Sequence, residues 1–100
     1  VLRDSSWLLR QNPKAYTVQL VTSPSQADMA RFIDRNVEQL ALDSLAFSVT
    51  EHEQRERYNL FFGVFGTMSA ARAAIAALPP ELRANRPWVR QFRSIQDSVR

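Results

Sequence analysis

Residues 15–22, Ala-Tyr-Thr-Val-Gln-Leu-Val-Thr, pass directly into residues 23–26, Ser-Pro-Ser-Gln, and this junction decides the fold. The first stretch alternates with period two and is rich in β-branched side chains, which predicts a half-buried strand. The second stretch has a capping-box pattern with proline at the first helical position, where its missing N–H costs no hydrogen bond. A helix is therefore expected from there to about residue 40. Its apolar stripe would consist of Met29, Ile33, Val37 and Leu40.

The second half of the chain repeats this strand and helix pattern. Residues 45–51 alternate again, and a charged connection over residues 51–56 leads into a strand over residues 57–65. Thr67 is placed to cap the next helix, which the prolines at 79–80 end. The apolar side of this helix would consist of Ala71, Ala74, Ile75 and Leu78.

Shorter helices and strands are predicted near the two ends of the chain. Asp4 and the serines that follow it predict a short N-terminal helix that ends before Pro13. Residues 80–83 suggest one further helical turn, and residues 88–95 are interpreted as the last strand. The predicted fold class is α+β, an RNP/ferredoxin-like βαββαβ. It would have a four-stranded antiparallel sheet, two helices on one face and a short N-terminal helix.

The composition is that of one folded module. A length of 100 residues suits a single domain, in which we expect residues 1–14 to form a helical leader packed on the domain formed by residues 15–97. The net charge of +3 is small, and residues 83–93 hold four arginines and no acid. The absence of cysteine excludes disulfides, thiolate catalysis and Cys-based zinc sites.

An antiparallel sheet of this kind can leave the face opposite its helices open to water. The pleat predicts that the following side chains lie on that face: Thr17, Gln19, Val21, Ser48, Thr50, Arg57, Asn59, Phe61, Trp88 and Arg90. They combine aromatic rings with amides, hydroxyls and arginines, and they include no carboxylate. The mixture suits a polymer with hydroxyls and apolar ring faces, so sugars and nucleic-acid bases both qualify. The alternative is a merely solvated face, with Phe61 covered by the N-terminal helix.

Four segments share their order and spacing with one known family. They are residues 16–20 (Tyr-Thr-Val-Gln-Leu), 58–65 (Tyr-Asn-Leu-Phe-Phe-Gly-Val-Phe), 71–79 (Ala-Arg-Ala-Ala-Ile-Ala-Ala-Leu-Pro) and 86–90 (Arg-Pro-Trp-Val-Arg). In these segments the chain resembles the SPOR family of peptidoglycan-binding domains. Residues 7–9, Trp-Leu-Leu, are similar to the leader helix of one subgroup, so the resemblance covers nearly the whole chain.

The resemblance implies a non-catalytic module that binds glycan strands of peptidoglycan without stem peptides. Such denuded strands accumulate at the division septum, so the module would target its parent protein there. No cofactor, metal or nucleic acid is implied, the isolated domain would be monomeric, and other division proteins would be met through the parent chain. The implied setting is the periplasm, on a single-pass inner-membrane protein. Because the sequence starts at Val1 without a methionine, we expect a fragment whose targeting or anchoring segment was removed.

By position, the resemblance makes Gln19 a glycan contact with Thr22 near it, and it makes Trp88 a stacking ring. Arg57 stands where related domains have a second tryptophan, so either Arg57 or Phe61 would fill that subsite. A lactyl carboxylate freed on muramic acid would favour Arg57 or Arg90. The complete set of predicted glycan contacts is Thr17, Gln19, Thr22, Arg57, Asn59, Phe61, Trp88 and Arg90.

Two other function classes compete with glycan binding. An RNA-binding domain of the RRM type has the same order of strands and helices, and residues 60–66 resemble its central-strand motif in part. However, the basic residue and glycine of that motif are missing, and Gln19 stands where an aromatic is wanted. An enzyme would depend on the single histidine, His52, which lies between two glutamates in a predicted loop, and no acid pair lies on the open face.

Overall fold

The structure is a computed structural model that describes residues 2–36 and 38–99. Its elements are α1 (Ser5–Leu9), β1 (Tyr16–Ser23), α2 (Gln26–Asn36), a 3-10 turn (Leu42–Ser44), β2 (Leu45–His52), β3 (Arg55–Phe65), α3 (Met68–Ala76), α4 (Pro80–Arg83), β4 (Trp88–Gln91) and α5 (Phe92–Ser98). None of the described helices is long and apolar enough to cross a membrane.

The four strands form one antiparallel sheet in the order β2-β3-β1-β4. This arrangement confirms the predicted α+β, RNP-like βαββαβ fold. Strands β1 and β3 lie at the centre, and Val18 and Leu60 on them are fully buried.

The main core lies between the sheet and the helices α2, α3 and α4. It consists of Val18, Leu20, Met29, Phe32, Leu40, Leu45, Leu60, Ala71, Leu78 and Leu82. Ala71 is fully buried, so the small side chain allows α3 to approach the sheet closely, as the alanine-rich sequence predicts.

A second core lies on the opposite face of the sheet, and here the prediction of an uncovered face is wrong in part. Helices α1 and α5 cover one half of that face with the apolar residues Leu8, Phe92 and Ile95, which pack on Ala46 and Phe61 of the sheet. Residues 88–95 therefore do not form one strand. Strand β4 ends at Gln91 and α5 follows, because Phe92 and Ile95 are three residues apart and share one helical face.

The two covering helices are joined by a buried amide. The Nε2 group of Gln96 in α5 donates to the carbonyl oxygens of Leu8, at 3.1 Å, and Gln11, at 2.8 Å. These carbonyls lie at and just beyond the end of α1, so the amide joins α5 to that end of the helix. The residues before α1 also attach to the sheet, since Arg3 pairs with β2 at Ala46.

Two irregularities in the pairing of β1 with β3 decide which side chains reach which face. One lies at Gly63, whose φ of +76° suits glycine. The other lies between Gln19 and Val21 and adds one residue to β1, so Thr22 comes to lie opposite Asn59. The prediction that Val21 lies on the open face is therefore wrong. Val21 packs against the main core instead.

Several element boundaries also differ from the predicted ones. Helix α2 begins later, with Ser25 Oγ accepting from the N–H of Asp28 at 3.2 Å, and it ends at Asn36. Val37, which was assigned to its stripe, lies outside the described residues. The β2–β3 turn is shorter than predicted, because Glu53 and Gln54 both have positive φ, as a two-residue type I′ turn requires. Thr67 caps α3 as predicted, accepting from the N–H of Ala70.

Gly63 provides a test of the bulge. A Cβ atom at this position would lie 2.7 Å from the ring of Phe65, on a backbone that side chains rarely adopt. Gly63→Ala is expected to lower the free energy of unfolding by about 1–3 kcal/mol, measured by urea denaturation. Gly66→Ala is the matched control, because no atom lies within 4 Å of a Cβ built there. Equal stability of the two variants would contradict the assigned bulge.

Candidate functional site

The half of the sheet that α1 and α5 leave free carries a polar surface. We call this surface the polar face and define it by Gln19, Thr22, Ser48, Thr50, Arg57, Asn59, Trp88 and Arg90. Pairing places these residues together, since Gln19 lies opposite Trp88, Ser48 opposite Asn59, and Thr50 opposite Arg57. All four strands contribute to it, so a shift of any strand would break the surface.

Asn59 is the centre of the hydrogen bonds on the polar face. Its Nδ2 group donates to the hydroxyl oxygens of Ser48, at 3.2 Å, and Thr50, at 3.1 Å, both on β2. Its Oδ1 atom accepts from the Thr22 hydroxyl at 3.0 Å and from Gln19 Nε2 at 3.4 Å. Asn59 is only 6% exposed, so these bonds replace the water that the amide would otherwise bind.

Gln19 carries the network across β1 to the edge strand. Its Nε2 group also donates to the hydroxyl of Thr22, and its Oε1 atom accepts from Arg90 Nη1 at 3.0 Å. The extra residue in β1 makes this possible, because it brings Gln19 and Thr22 to the same face although they are three positions apart. Each polar atom of the Gln19 amide therefore has a protein partner.

Arg90 lies at the other end of the network. Its Nε and Nη2 atoms lie 3.3 and 3.1 Å from the hydroxyl of Ser94 in α5, and that hydroxyl donates to the carbonyl of Gln91. The guanidinium carbon lies 5.3 Å from the centre of the Trp88 ring and 6.0 Å from that of Phe61. Burial lowers the pKa of Arg90, but an arginine remains charged at neutral pH.

Trp88 gives the polar face an exposed aromatic surface. Its side chain is 54% exposed, and it borders a shallow pocket of about 220 Å³. The lining residues are Gln19, Leu20, Val21, Thr22, Asn85, Arg86 and Trp88. A ring-shaped ligand can stack on the flat face of Trp88. The polar groups of the neighbouring pocket can then form hydrogen bonds with the edge of the ligand.

The structure brings five of the predicted contact residues together in one network: Gln19, Thr22, Asn59, Trp88 and Arg90. Arg57 lies further along β3, opposite Thr50, and is half-buried. The other two residues are inaccessible. Thr17 is 1% exposed and donates to the carbonyls of Phe62 and Gly63, and Phe61 is 1% exposed beneath α1 and α5. Phe61 therefore offers no ring to a ligand in this structure, and of the two alternatives for the second subsite only Arg57 has a side chain at the surface. The covering of Phe61 agrees with the other interpretation, in which the N-terminal helix lies over it.

Sequence reasoning missed three residues that matter here. Ser94 was overlooked because residues 88–95 were interpreted as one strand, which would have placed it far from Arg90. Asn85 and Arg86 line the pocket beside Trp88, and no periodic pattern marks a loop. A signal for Ser94 was present, since its spacing of four from Arg90 suits a turn into a helix.

Acidic and histidine side chains lie away from the polar face. The polar face has no carboxylate, and His52 is exposed at the hairpin, 3.8 Å from Glu53. Over residues 2–36 and 38–99, no group of three His, Cys, Asp or Glu side chains could hold a metal ion. The hydroxyl of Tyr58 donates to Glu56, which raises the pKa of the tyrosine, but its ring packs against the main core. What the polar face carries is amides, hydroxyls, two arginines and one exposed ring.

Comparison with known proteins identifies the module. The sequence model of the SPOR domain matches residues 12–91, and the chain belongs to this family. SPOR domains bind peptidoglycan and are not enzymes. The chain is also 29% identical over 85 residues to the cell division protein DamX of Serratia marcescens. The similarity covers 85% of this chain and 38% of the length of that relative, and it confirms the resemblance seen in the sequence.

The network can be tested through its centre. Asn59→Leu keeps the branched shape of the side chain but removes the hydrogen-bond partner that Gln19, Thr22, Ser48 and Thr50 share, so the free energy of unfolding should fall by about 2–3 kcal/mol. Thr50→Val removes one bond at the outer end of the network and should cost about 1 kcal/mol or less. Both changes in the free energy of unfolding are to be measured by urea denaturation. A cost for Asn59→Leu no larger than that for Thr50→Val would show that the network does not stabilise the sheet.

Proposed function

We propose that this domain binds peptidoglycan glycan strands that have lost their stem peptides, and that it thereby directs its parent protein to the division septum. Family membership supports a peptidoglycan-binding module for cell division. The observation that carries the more specific proposal is the fixed network from Asn59 through Gln19 to Arg90, which ends beside the exposed ring of Trp88.

The chemistry of this surface suits an amino-sugar chain. The apolar face of a sugar ring can stack on Trp88, and the neighbouring hydroxyl and guanidinium groups can bond sugar hydroxyls and N-acetyl groups. The polar groups are already oriented by one another, so little rotamer entropy is lost when the ligand binds. This preorganisation favours binding even though the shallow pocket can bury only a small part of the ligand.

The predicted contacts divide into residues that can touch the glycan and residues that position them. Trp88, Thr22, Arg90 and Arg57 have surface to offer and are proposed as direct contacts. Gln19 and Asn59 are each 6% exposed, so we assign them the role of holding Thr22 and Arg90. Thr17 and Phe61 are buried beside the polar face and are not proposed as contacts.

The proposed setting is the periplasm, with the domain attached to a single-pass inner-membrane protein. The support is the similarity to a cell division protein, of which this chain spans 38%. Contacts with other division proteins would belong to the rest of the parent chain. The isolated domain is proposed to bind as a monomer.

The RNA-binding alternative is less well supported by the arrangement of aromatic rings. RRM-type domains stack bases on exposed aromatics of the two central strands. Here the central strands present Gln19 and Thr22 to the free half of the face, and Phe61 is covered. The exposed ring, Trp88, lies on the edge strand β4.

Co-sedimentation with sacculi tests the proposed function. Sacculi treated with an amidase, which removes stem peptides, should pellet the wild-type domain more strongly than untreated sacculi. Trp88→Ala should weaken binding to treated sacculi about tenfold, and Gln19→Ala should weaken it by a similar factor, as expected for one lost stacking or positioning contact. Met68→Ala is the matched control, because Met68 is also exposed but starts α3, on the other side of the sheet.

Thermal melts of each variant separate loss of binding from loss of folding. Equal pelleting of the wild type with treated and untreated sacculi would contradict the preference for denuded strands. Equal pelleting of the wild type and Trp88→Ala would contradict the proposed site. Binding to single-stranded RNA without binding to sacculi would favour the RNA alternative.

A further inference from the structure

Arg90 places a positive charge on a face that contains no negative one. Three of its N–H directions point to neutral acceptors, the Gln19 Oε1 atom and the Ser94 hydroxyl. The ion pairs within the described ranges are Arg31 with Asp28 and His52 with Glu53, so Arg90 takes part in none of them. The guanidinium is held in position, but its charge is not compensated.

Part of this guanidinium has lost its water without gaining an anionic partner among the described residues. Burial against Phe61 and Trp88 removes water from part of the guanidinium and lowers the pKa of Arg90. Neutral hydrogen bonds orient a buried cation but return only part of the hydration that it loses. A guanidinium has five N–H donors, so two remain to receive a ligand, and the fork suits a carboxylate.

We propose that Arg90 recognises the free lactyl carboxylate of a muramic acid residue and thereby distinguishes denuded from peptide-bearing glycan by charge. The inference rests on the proposed function and assigns its selectivity to one residue. In peptide-bearing glycan this carboxyl group is in a neutral amide with the first amino acid. Hydrolysis of that amide breaks the C–N bond and leaves a carboxylate on the sugar and an amine on the released peptide.

Arg90 is better prepared for this role than the other arginines near the face. Arg57 has no hydrogen bond or ion pair to other described residues that would hold its guanidinium in place. Arg86 lines the pocket but is exposed in a loop. Arg90 is bonded from both sides, by β1 and by α5, and lies over the ring on which a sugar would stack. A sugar on Trp88 would thus bring its substituents within reach of a fixed cation.

The experiment separates charge from bulk by changing the ligand. Amidase-treated sacculi are divided in two, and one half has its carboxylates converted to methylamides with carbodiimide and methylamine. Both halves lack stem peptides, so they differ in the charge of this group and, in size, only by one methylamino substituent. The wild-type domain is expected to bind the free-acid sacculi about tenfold more tightly than the methylamide sacculi, as expected for one charge-assisted hydrogen-bonded pair.

Variants assign this discrimination to a residue. Arg90→Gln should bind both preparations equally. Arg90→Lys retains the positive charge but lacks the planar pair of N–H donors, so it should keep part of the preference for free-acid sacculi. Arg72→Gln removes the same charge from α3, on the opposite side of the sheet, and should behave as the wild type. Arg57→Gln should weaken binding to both preparations without changing their ratio.

A substitution of Gln19, the residue that accepts a hydrogen bond from Arg90, tests the same proposal. Gln19→Glu puts a carboxylate where the Oε1 atom accepts from Arg90, so the cation would be neutralised within the protein. This variant should lose the preference for free-acid sacculi while thermal melts show that it remains folded. Such a result cannot come from a general loss of structure.

The outcomes distinguish this inference from the proposed function. If the wild type binds both preparations of denuded sacculi equally, Arg90 does not recognise the carboxylate, and the proposed function stands. If Arg90→Gln keeps the tenfold preference, another group recognises the carboxylate, and the assignment of this role to Arg90 is wrong. If the wild type binds neither preparation, the proposed function fails and this inference fails with it.

Discussion

The buried amide of Asn59 is the constraint on which the rest of this structure depends. An amide in the centre of a sheet is tolerated only when its donors and acceptor are satisfied, and here the partners come from β1 and β2. A slip of either strand by one residue would move those partners to the other face and leave the amide unpaired. The network therefore fixes the register of three strands as well as the chemistry of the polar face.

The second constraint is the area of the sheet that stays open. On one side the main core draws on residues of all four strands, but on the other side α1 and α5 cover only the half around Phe61. Their attachment depends on packing of Leu8, Phe92 and Ile95 and on the two hydrogen bonds of Gln96. Because Ser94 in α5 also bonds Arg90, the covering helix contributes directly to the polar face. The segment that closes one half of the sheet thus orders the other half.

The fold could be predicted from the sequence because its signals are local. Alternation in residues 15–22 and 57–65 and the caps before the helices depend on near neighbours. The bulge in β1 could not be predicted, since alternation continues through Val21 and only the pairing with β3 brings Thr22 to the face. The end of β4 was missed for a similar reason. Residues 88–95 suit both a strand and a strand followed by a helix, and the choice depends on Phe92 packing with Phe61 on the covered half of the face.

The same reasoning explains why the site was predicted only in part. A sequence pattern shows which residue types share a face, but it does not show which of them are covered. Gln19 and Trp88 are both on the predicted face, yet one is 6% and the other 54% exposed, because Gln19 lies under Arg90 and Thr22 while Trp88 lies at the edge. A residue identified by pattern at a binding face can therefore be a support for the contact instead of the contact itself. In this domain the sheet centre holds the amides that orient the surface, and the edge strand carries the ring and the cation that a ligand can reach.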